Sequence, residues 1–400
     1  MTDFSQLPPV EPDVILHLMK RARADERPEK IDLGIGVYRD ENMHTPVMKA
    51  VKAAERLKVE AEDTKVYLGL SGDQEFAGLV ARLALGESMD DQRLAKLQTP
   101  SGSGAIFVIA GVHKMLAPDA QVWMGEQYYF NHMGVFRYQG FRTRSHPFLG
   151  ADESIDFDAM IGALEQGAKR GDLLVLHASC HNPTGLDFSL EQWEALTDIC
   201  ERKGVIPYVD SAYQGFAKGM DQDVAGLRLM AERLENMYIS YSCSKNFGLY
   251  RERTGAAMML TKNADQKAAA SAAMEHMARI GYSMPPQHGA GIVKIILNDE
   301  QLTAQWQEEL ASYRDRVTAI RSALAAELRK ESNSNRFDFI EHQFGMFSTL
   351  PINQAQAERL VQEHAVYAVP LPDQRSRINL ISCPLAQANQ LAKALVAVSN

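Results

Sequence analysis

Lys245 stands in the run Ser242-Cys243-Ser244-Lys245-Asn246-Phe247-Gly248-Leu249-Tyr250, with Arg253 close behind. An amine between hydroxyls, followed by a guanidinium, sets a nucleophile beside an anion cradle, as a Schiff base to a phosphorylated aldehyde requires. Most lysines are solvated surface charges. This one follows an apolar run and sits among Ser242, Ser244 and Arg253, which argues against that fate. Arg253 can neutralise a phosphate dianion, and a second cation nearby helps keep Lys245 partly neutral.

Three other segments carry candidate chemistry. Ser101-Gly102-Ser103-Gly104-Ala105 lies between a predicted strand ending at Thr99 and a predicted helix from about Ala105 to Leu116, so its free N–H groups face an anion. A Gly/Ser turn before a helix is more often only a turn, and this one matches neither nucleotide-binding glycine pattern. His181-Asn182-Pro183-Thr184-Gly185 follows a buried strand at the edge where α/β proteins place ligands. It reads as an Asn-Pro turn or as an amide held to donate to a phenolate. Asp210, ending the strand before Ser211-Ala212-Tyr213, reads as a helix cap, a metal ligand or the partner of a protonated pyridine nitrogen. Tyr213 is three residues on, within reach of a ring hydroxyl.

The elements that must position these residues follow from periodicity. Brief apolar runs at 94–99, 122–124, 173–176, 206–209, 237–242 and 256–260, separated by helical stretches, predict α/β architecture with a mostly parallel central sheet covered on both faces. Before them come a Pro-containing arm (Leu7-Pro8-Pro9), a helix from Pro12 to Arg23 and an extended run, Ile31 to Tyr38, whose glycines permit close backbone approach. A charged helix over 301–331 leads to strand candidates at 346–350, 367–369 and 378–381 and a last helix from Leu385. The expected division is residues 1–40 as an arm and part of a small domain, 41–310 as a large domain and 311–400 as a small α+β domain.

With 42 basic and 51 acidic residues in 400, the net charge of −9 disfavours a general nucleic-acid or anionic-membrane binder. No apolar run approaches a membrane span. The segment Met1 to Val10 carries no cationic stretch before an apolar run, and a cytoplasmic protein is expected. Four scattered cysteines, without CxxC spacing, indicate neither a disulfide framework nor a zinc site, and no metal is expected.

Taken in order, Asp32-Leu33-Gly34-Ile35-Gly36-Val37-Tyr38, Val66-Tyr67-Leu68-Gly69, the Ser101 to Gly104 turn, His181 to Gly185, Asp210 to Phe216, Ser244 to Tyr250, Tyr282-Ser283-Met284-Pro285-Pro286 and Ser376-Arg377-Ile378-Asn379 resemble the class I aminotransferases of the aspartate and aromatic amino acid subfamily. These are pyridoxal 5'-phosphate enzymes of fold type I, and the resemblance runs nearly end to end. It implies that Lys245 is the Schiff-base lysine and proton shuttle, with Asp210 on the pyridinium nitrogen and His132 behind it. Asn182 and Tyr213 would bond the ring oxygen. Gly102, Ser103, Ser242, Ser244 and Arg253 would hold the phosphate, joined by Tyr67 from the other subunit of a homodimer. Arg377 would take the substrate α-carboxylate, and Arg279 a distal carboxylate across the interface; Gly36 belongs with the substrate-binding set.

The implied reaction is ping-pong transfer of an amino group from an L-amino acid, aspartate or aromatic, to 2-oxoglutarate. Another reaction on the same fold, a β-lyase or decarboxylase, is the alternative, and a non-catalytic cofactor-binding module the remoter one. Two departures from the family pattern stand out. Tyr129 occupies the position where the family usually stacks tryptophan on the cofactor, and it belongs to both the cofactor and substrate sets. The connection Pro370-Leu371-Pro372-Asp373-Gln374-Arg375 is several residues longer than usual, so Arg375 competes with Arg377, which is favoured because Ile378-Asn379 follow it.

Overall fold

The structure is a computed structural model describing residues 3–7 and 13–399. Pro8, Pro9 and Pro12 of the predicted arm and first helix lie outside these. That helix spans Val14–Ala24, started by the Asp13 side chain accepting from the Leu16 N–H.

Seven strands form the central sheet, in spatial order 94–100, 254–260, 237–242, 206–211, 173–177, 121–125 and 142–146. The four pairings from 237–242 to 142–146 are parallel, whereas 254–260 runs antiparallel to both its neighbours. Every residue of 173–177, 237–242 and 254–260 is buried, as expected of strands covered by helices on both faces. The strand Arg142–His146 was not legible in the sequence. It is a polar, largely exposed edge whose two arginines discourage pairing with another chain.

The helix Glu300–Ser332 runs from the Asp299 side chain, which accepts from the N–H groups of Gln301 and Leu302, to Asn333 in the left-handed conformation. It leads to a three-stranded antiparallel sheet ordered 369–370, 376–379, 347–350. The expected strand over 367–369 divides: Val366–Tyr367 pairs in parallel with Ile31–Asp32, while Val369–Pro370 pairs with Ser376–Arg377. The strand expected at 378–381 begins at Ser376 and ends at Asn379, where Leu380–Ser382 tightens into a 3-10 turn. Among the described residues no helix is long and apolar enough to cross a membrane.

Candidate active site

The sheet brings Ser101, Gly102, Ser103, Asp210, Ser242, Ser244 and Lys245 around one cavity of about 170 Å³, with Gly36, Tyr129 and Arg253 also on its wall. Asp210 and Ser242 lie at the C-terminal ends of neighbouring strands, Asp210 one residue before its strand's last, so strand order alone converges segments that lie far apart in sequence.

Lys245 is fixed from behind. Trp306 of the long helix stacks on Phe247 at 4.2 Å and donates its indole N–H to the Asn246 carbonyl at 2.7 Å. Asn246 in turn donates to the Tyr241 hydroxyl at 2.9 Å, and Tyr241 to Gln214 at 2.7 Å. The Lys245 amine sits 5.0 Å from the centre of the Tyr213 ring. Burial pulls its pKa down, Asp210 pushes it up, and Arg253 and Arg377 lower it again, leaving about 8. A fair fraction of the amine is therefore neutral near pH 7 to 8.

Asp210 accepts from Ser240 Oγ at 2.7 Å on Oδ1 and is paired with His132 Nε2 at 2.9 Å on Oδ2. Burial alone would raise this carboxyl; the His132 and Ser240 hydrogen bonds and the charges of His132 and His177 outweigh it and hold the pKa at about 2. The acid stays ionised. His132, His177 and Asp210 also bring three ligand-type atoms within 4.8 Å, a spacing a metal ion can use, although both Asp210 oxygens are already engaged.

At the other end, the expected Gly/Ser loop is absorbed into the first turn of the helix Ser101–Leu116, with Ser101 at a positive φ of 65°. Ser101 Oγ lies 3.5 Å from Ser242 Oγ and 3.3 Å from Ser244 Oγ, and Asn131 donates to Ser103 Oγ at 3.1 Å. Gly102 leaves no spare room: a Cβ there would stand 3.3 Å from Ser242 Cβ. Arg253, exposed and at positive φ, closes this end of the cavity. A helix N-terminus, several hydroxyls and a guanidinium make an anion seat.

Arg377 projects from the Ser376–Asn379 strand towards the same region. It donates to the Gly34 carbonyl at 2.8 Å and to Asn182 Oδ1 at 3.4 Å, and lies 4.3 Å over the Phe347 ring. Its Nε is buried without a partner, and burial lowers its pKa to about 10. Gly36 is close-packed here, since a Cβ would approach Phe347 Cζ to 2.8 Å. The Arg375 guanidinium turns away from this region to Glu153 at 2.9 Å. Tyr129 caps the helix Phe130–Tyr138 with its ring edge-on to His132 at 5.2 Å.

Tyr67 and Arg279 stand apart from this cavity. Tyr67 is 84% exposed, and Arg279 is exposed in the last turn of the helix Ala264–Gly281, donating to Ser283 Oγ at 2.9 Å. Sequence reasoning missed Ser240, Asn131, Phe347 and Trp306. Ser240 had a weak signal, a serine inside a wholly buried strand paired with Asp210, whereas Asn131 and Trp306 act through contacts only the fold creates.

Comparison with known proteins identifies the family and the fold. The family described as aminotransferase class I and II matches residues 28–395. The aromatic-amino-acid aminotransferase of Paracoccus denitrificans is 41% identical over 396 residues, 99% of each chain. The aspartate aminotransferase of Escherichia coli K12 is 39% identical over 399 residues, 99% of this chain and 100% of that one. Among solved structures, the aromatic-amino-acid aminotransferase of Burkholderia pseudomallei, covalently bound to pyridoxal phosphate, superposes with a TM-score of 0.95 at 35% identity, covering both chains fully. The chain belongs to the class I and II aminotransferase family.

Proposed function

We propose that this protein transfers an amino group between an acidic or aromatic L-amino acid and 2-oxoglutarate, using pyridoxal 5'-phosphate at the cavity around Lys245. One observation carries the reading: an amine lowered to about 8 lines a single cavity with a carboxylate held at about 2 and an anion seat. Those three groups match the aldehyde, ring nitrogen and phosphate of the cofactor.

In this reading Gly102, Ser103, Ser242, Ser244 and Arg253 hold the phosphate, Asp210 pairs with the ring nitrogen, and Asn182 and Tyr213 serve the ring oxygen. Tyr129 covers the ring. When bound, the cofactor supplies an aldehyde carbon for amine exchange and a cationic ring that withdraws electrons from the substrate Cα. The protein's own work is acid–base and positional. Asp210, kept ionised by His132 and Ser240, fixes the positive charge on the ring side. Lys245 Nζ, released by the donor amine, takes the Cα proton and returns it on the other side of the transfer. Arg377 orients the substrate by its α-carboxylate, with Asn182 and Gly36 bounding the space. Returning a second 2-oxo acid through the same residues completes a ping-pong cycle.

A homodimer is part of the proposal. Val66 and Tyr67 are 73% and 84% exposed, and Ile280, next to Arg279, is 62% exposed. Apolar side chains so exposed favour a covering partner, and Tyr67 and Arg279 then serve the neighbouring protomer's site. A division near residues 40 and 310 fits the pairing of Ile31–Asp32 with the C-terminal Val366–Tyr367. The four buried, unpaired cysteines support a cytoplasmic location.

The test is spectroscopic. Aspartate, glutamate, tyrosine and phenylalanine are added singly to the purified holoenzyme, and the cofactor absorbance and 2-oxo acid release are followed. If none changes the spectrum, the reading fails.

A further inference from the structure

Between the strands 369–370 and 376–379 the chain turns through Leu371 to Arg375, closed by the Leu371 N–H donating to the Arg375 carbonyl at 2.8 Å. Two side chains of this turn reach back to segments flanking the central sheet. Arg375 donates to both Glu153 oxygens, Nη2 to Oε1 at 2.9 Å and Nε to Oε2 at 3.4 Å, with 22% and 12% of the two side chains exposed. Asp373 Oδ2 accepts from Gln127 Nε2 at 2.5 Å and lies 4.0 Å from Arg375 Nη1.

Both anchors are themselves held. Glu126 donates its N–H to the His146 carbonyl at 3.0 Å, which pins the segment leading to Gln127. Glu153 sits in a turn stapled by the Gly150 N–H to the Ser154 carbonyl at 2.8 Å, and it adopts φ 63°, a conformation that costs a residue with a Cβ. Arg375 precedes Arg377 by two residues, and Gln127 precedes Tyr129 by two. Leu371 and Pro372 line one small cavity with Tyr128, Phe130 and Pro183, the last of these next to Asn182. The Gln127 link therefore joins the segment carrying Arg377 to the segment carrying Tyr129, and the Glu153 link ties the same hairpin to the turn that follows the strand 142–146.

We propose that Arg375, Asp373, Glu153 and Gln127 form a polar clasp that sets where Arg377 stands relative to Tyr129 and Asn182, making them positioning residues for the substrate carboxylate. The inference rests on the reading of Arg377 as the α-carboxylate ligand. A bidentate, mostly enclosed ion pair restricts the hairpin as an exposed pair does not, and removing one partner leaves the other charge poorly solvated. Loosening the clasp lets the guanidinium drift while the anion seat and Lys245, on other elements, stay in place.

The full-length holoenzyme is measured as R375Q, E153Q, R375Q/E153Q and D373N, with R377K alongside. Expected for R375Q and E153Q is a rise of about tenfold in KM for amino donors, with kcat within about twofold and cofactor absorbance unchanged. The double variant is no worse than either single, since both break one contact. D373N, which keeps the side-chain size, raises KM in the same direction and serves if R375Q fails to fold. KM within about twofold of the parent in R375Q, E153Q and D373N, while R377K raises it, overturns the clasp alone. KM unchanged in R377K overturns the reading of Arg377 on which the clasp depends.

Discussion

His132 Nε2 lies 2.9 Å from Asp210 Oδ2, and the pair is buried beneath the cavity that holds Lys245. A charge this deep persists only because it is bonded on both oxygens. The imidazole keeps Asp210 ionised, and in the proposed reading an ionised Asp210 would keep the cofactor ring cationic. Asp210→Asn is expected to reduce kcat by about 100-fold or more, with His132→Gln losing about tenfold because Ser240 still donates. Single-turnover rates with one amino donor check both. Asp210 also couples folding to acid. Its pKa is lowered from the ordinary carboxylate value to about 2, so its stabilisation is fully present above about pH 4 and lost as pH falls to 2. The parent should lose more stability over that window than Asp210→Asn, measured by denaturant melts of the cofactor-free protein.

Lys245 has the opposite cost. Its pKa is lowered from 10.5 to about 8, so the unfolded chain binds the proton more tightly between those values, and the buried amine destabilises the cofactor-free fold below about pH 8. Lys245→Met is expected to stabilise the cofactor-free protein at pH 7 by roughly 1–3 kcal/mol, and by less at pH 10. The same variant is expected to abolish turnover. Arg253→Gln removes a cation that holds the amine down, so the pH at which apoenzyme takes up the cofactor aldehyde should shift upward; a downward shift would exclude that influence.

Arg377 tests the difference between charge and shape. Arg377→Lys keeps the cation but gives up the planar fork, so KM for α-amino acids is expected to rise by about 10- to 100-fold with a smaller change in kcat. Steady-state kinetics with aspartate and phenylalanine separate the two parameters. An equal loss for both donors follows, because both carry the same α-carboxylate.

How much of this was legible before the fold is clearest at Asp210 and Trp306. Asp210 ended an apolar strand, and a carboxylate at a sheet edge has few meanings, so its candidacy needed no coordinates. Trp306 read only as one apolar position on a long helix. Its contact with Asn246 spans 60 residues, and nothing local encodes it. The hairpin before Arg377 shows the same limit. Two nearby arginines compete in sequence, with only the following Ile378-Asn379 favouring Arg377, and it is the turn geometry that sends Arg375 to Glu153 and leaves Arg377 facing Asn182. Edge strand 142–146 was missed because pattern reading rewards apolar runs, while an edge is protected by being polar.

Arg279 and Lys245 are too far apart in surroundings to share a site within one chain: one is exposed in a helix end, the other lines the cavity. If each site borrows Arg279 from the neighbouring protomer, a defect in one residue can be covered by a subunit carrying the other defect. Lys245→Ala and Arg279→Ala should each be nearly inactive with aspartate. Dissociated and reassembled in equal amounts, half of the dimers are hybrids, and each hybrid holds one site with both residues intact. Activity should therefore recover to about a quarter of the parent. With phenylalanine, which has no distal carboxylate to pair, Arg279→Ala alone should keep most of its rate. Absence of recovery in hybrids verified by mixed affinity tags would place Arg279 outside the neighbouring site.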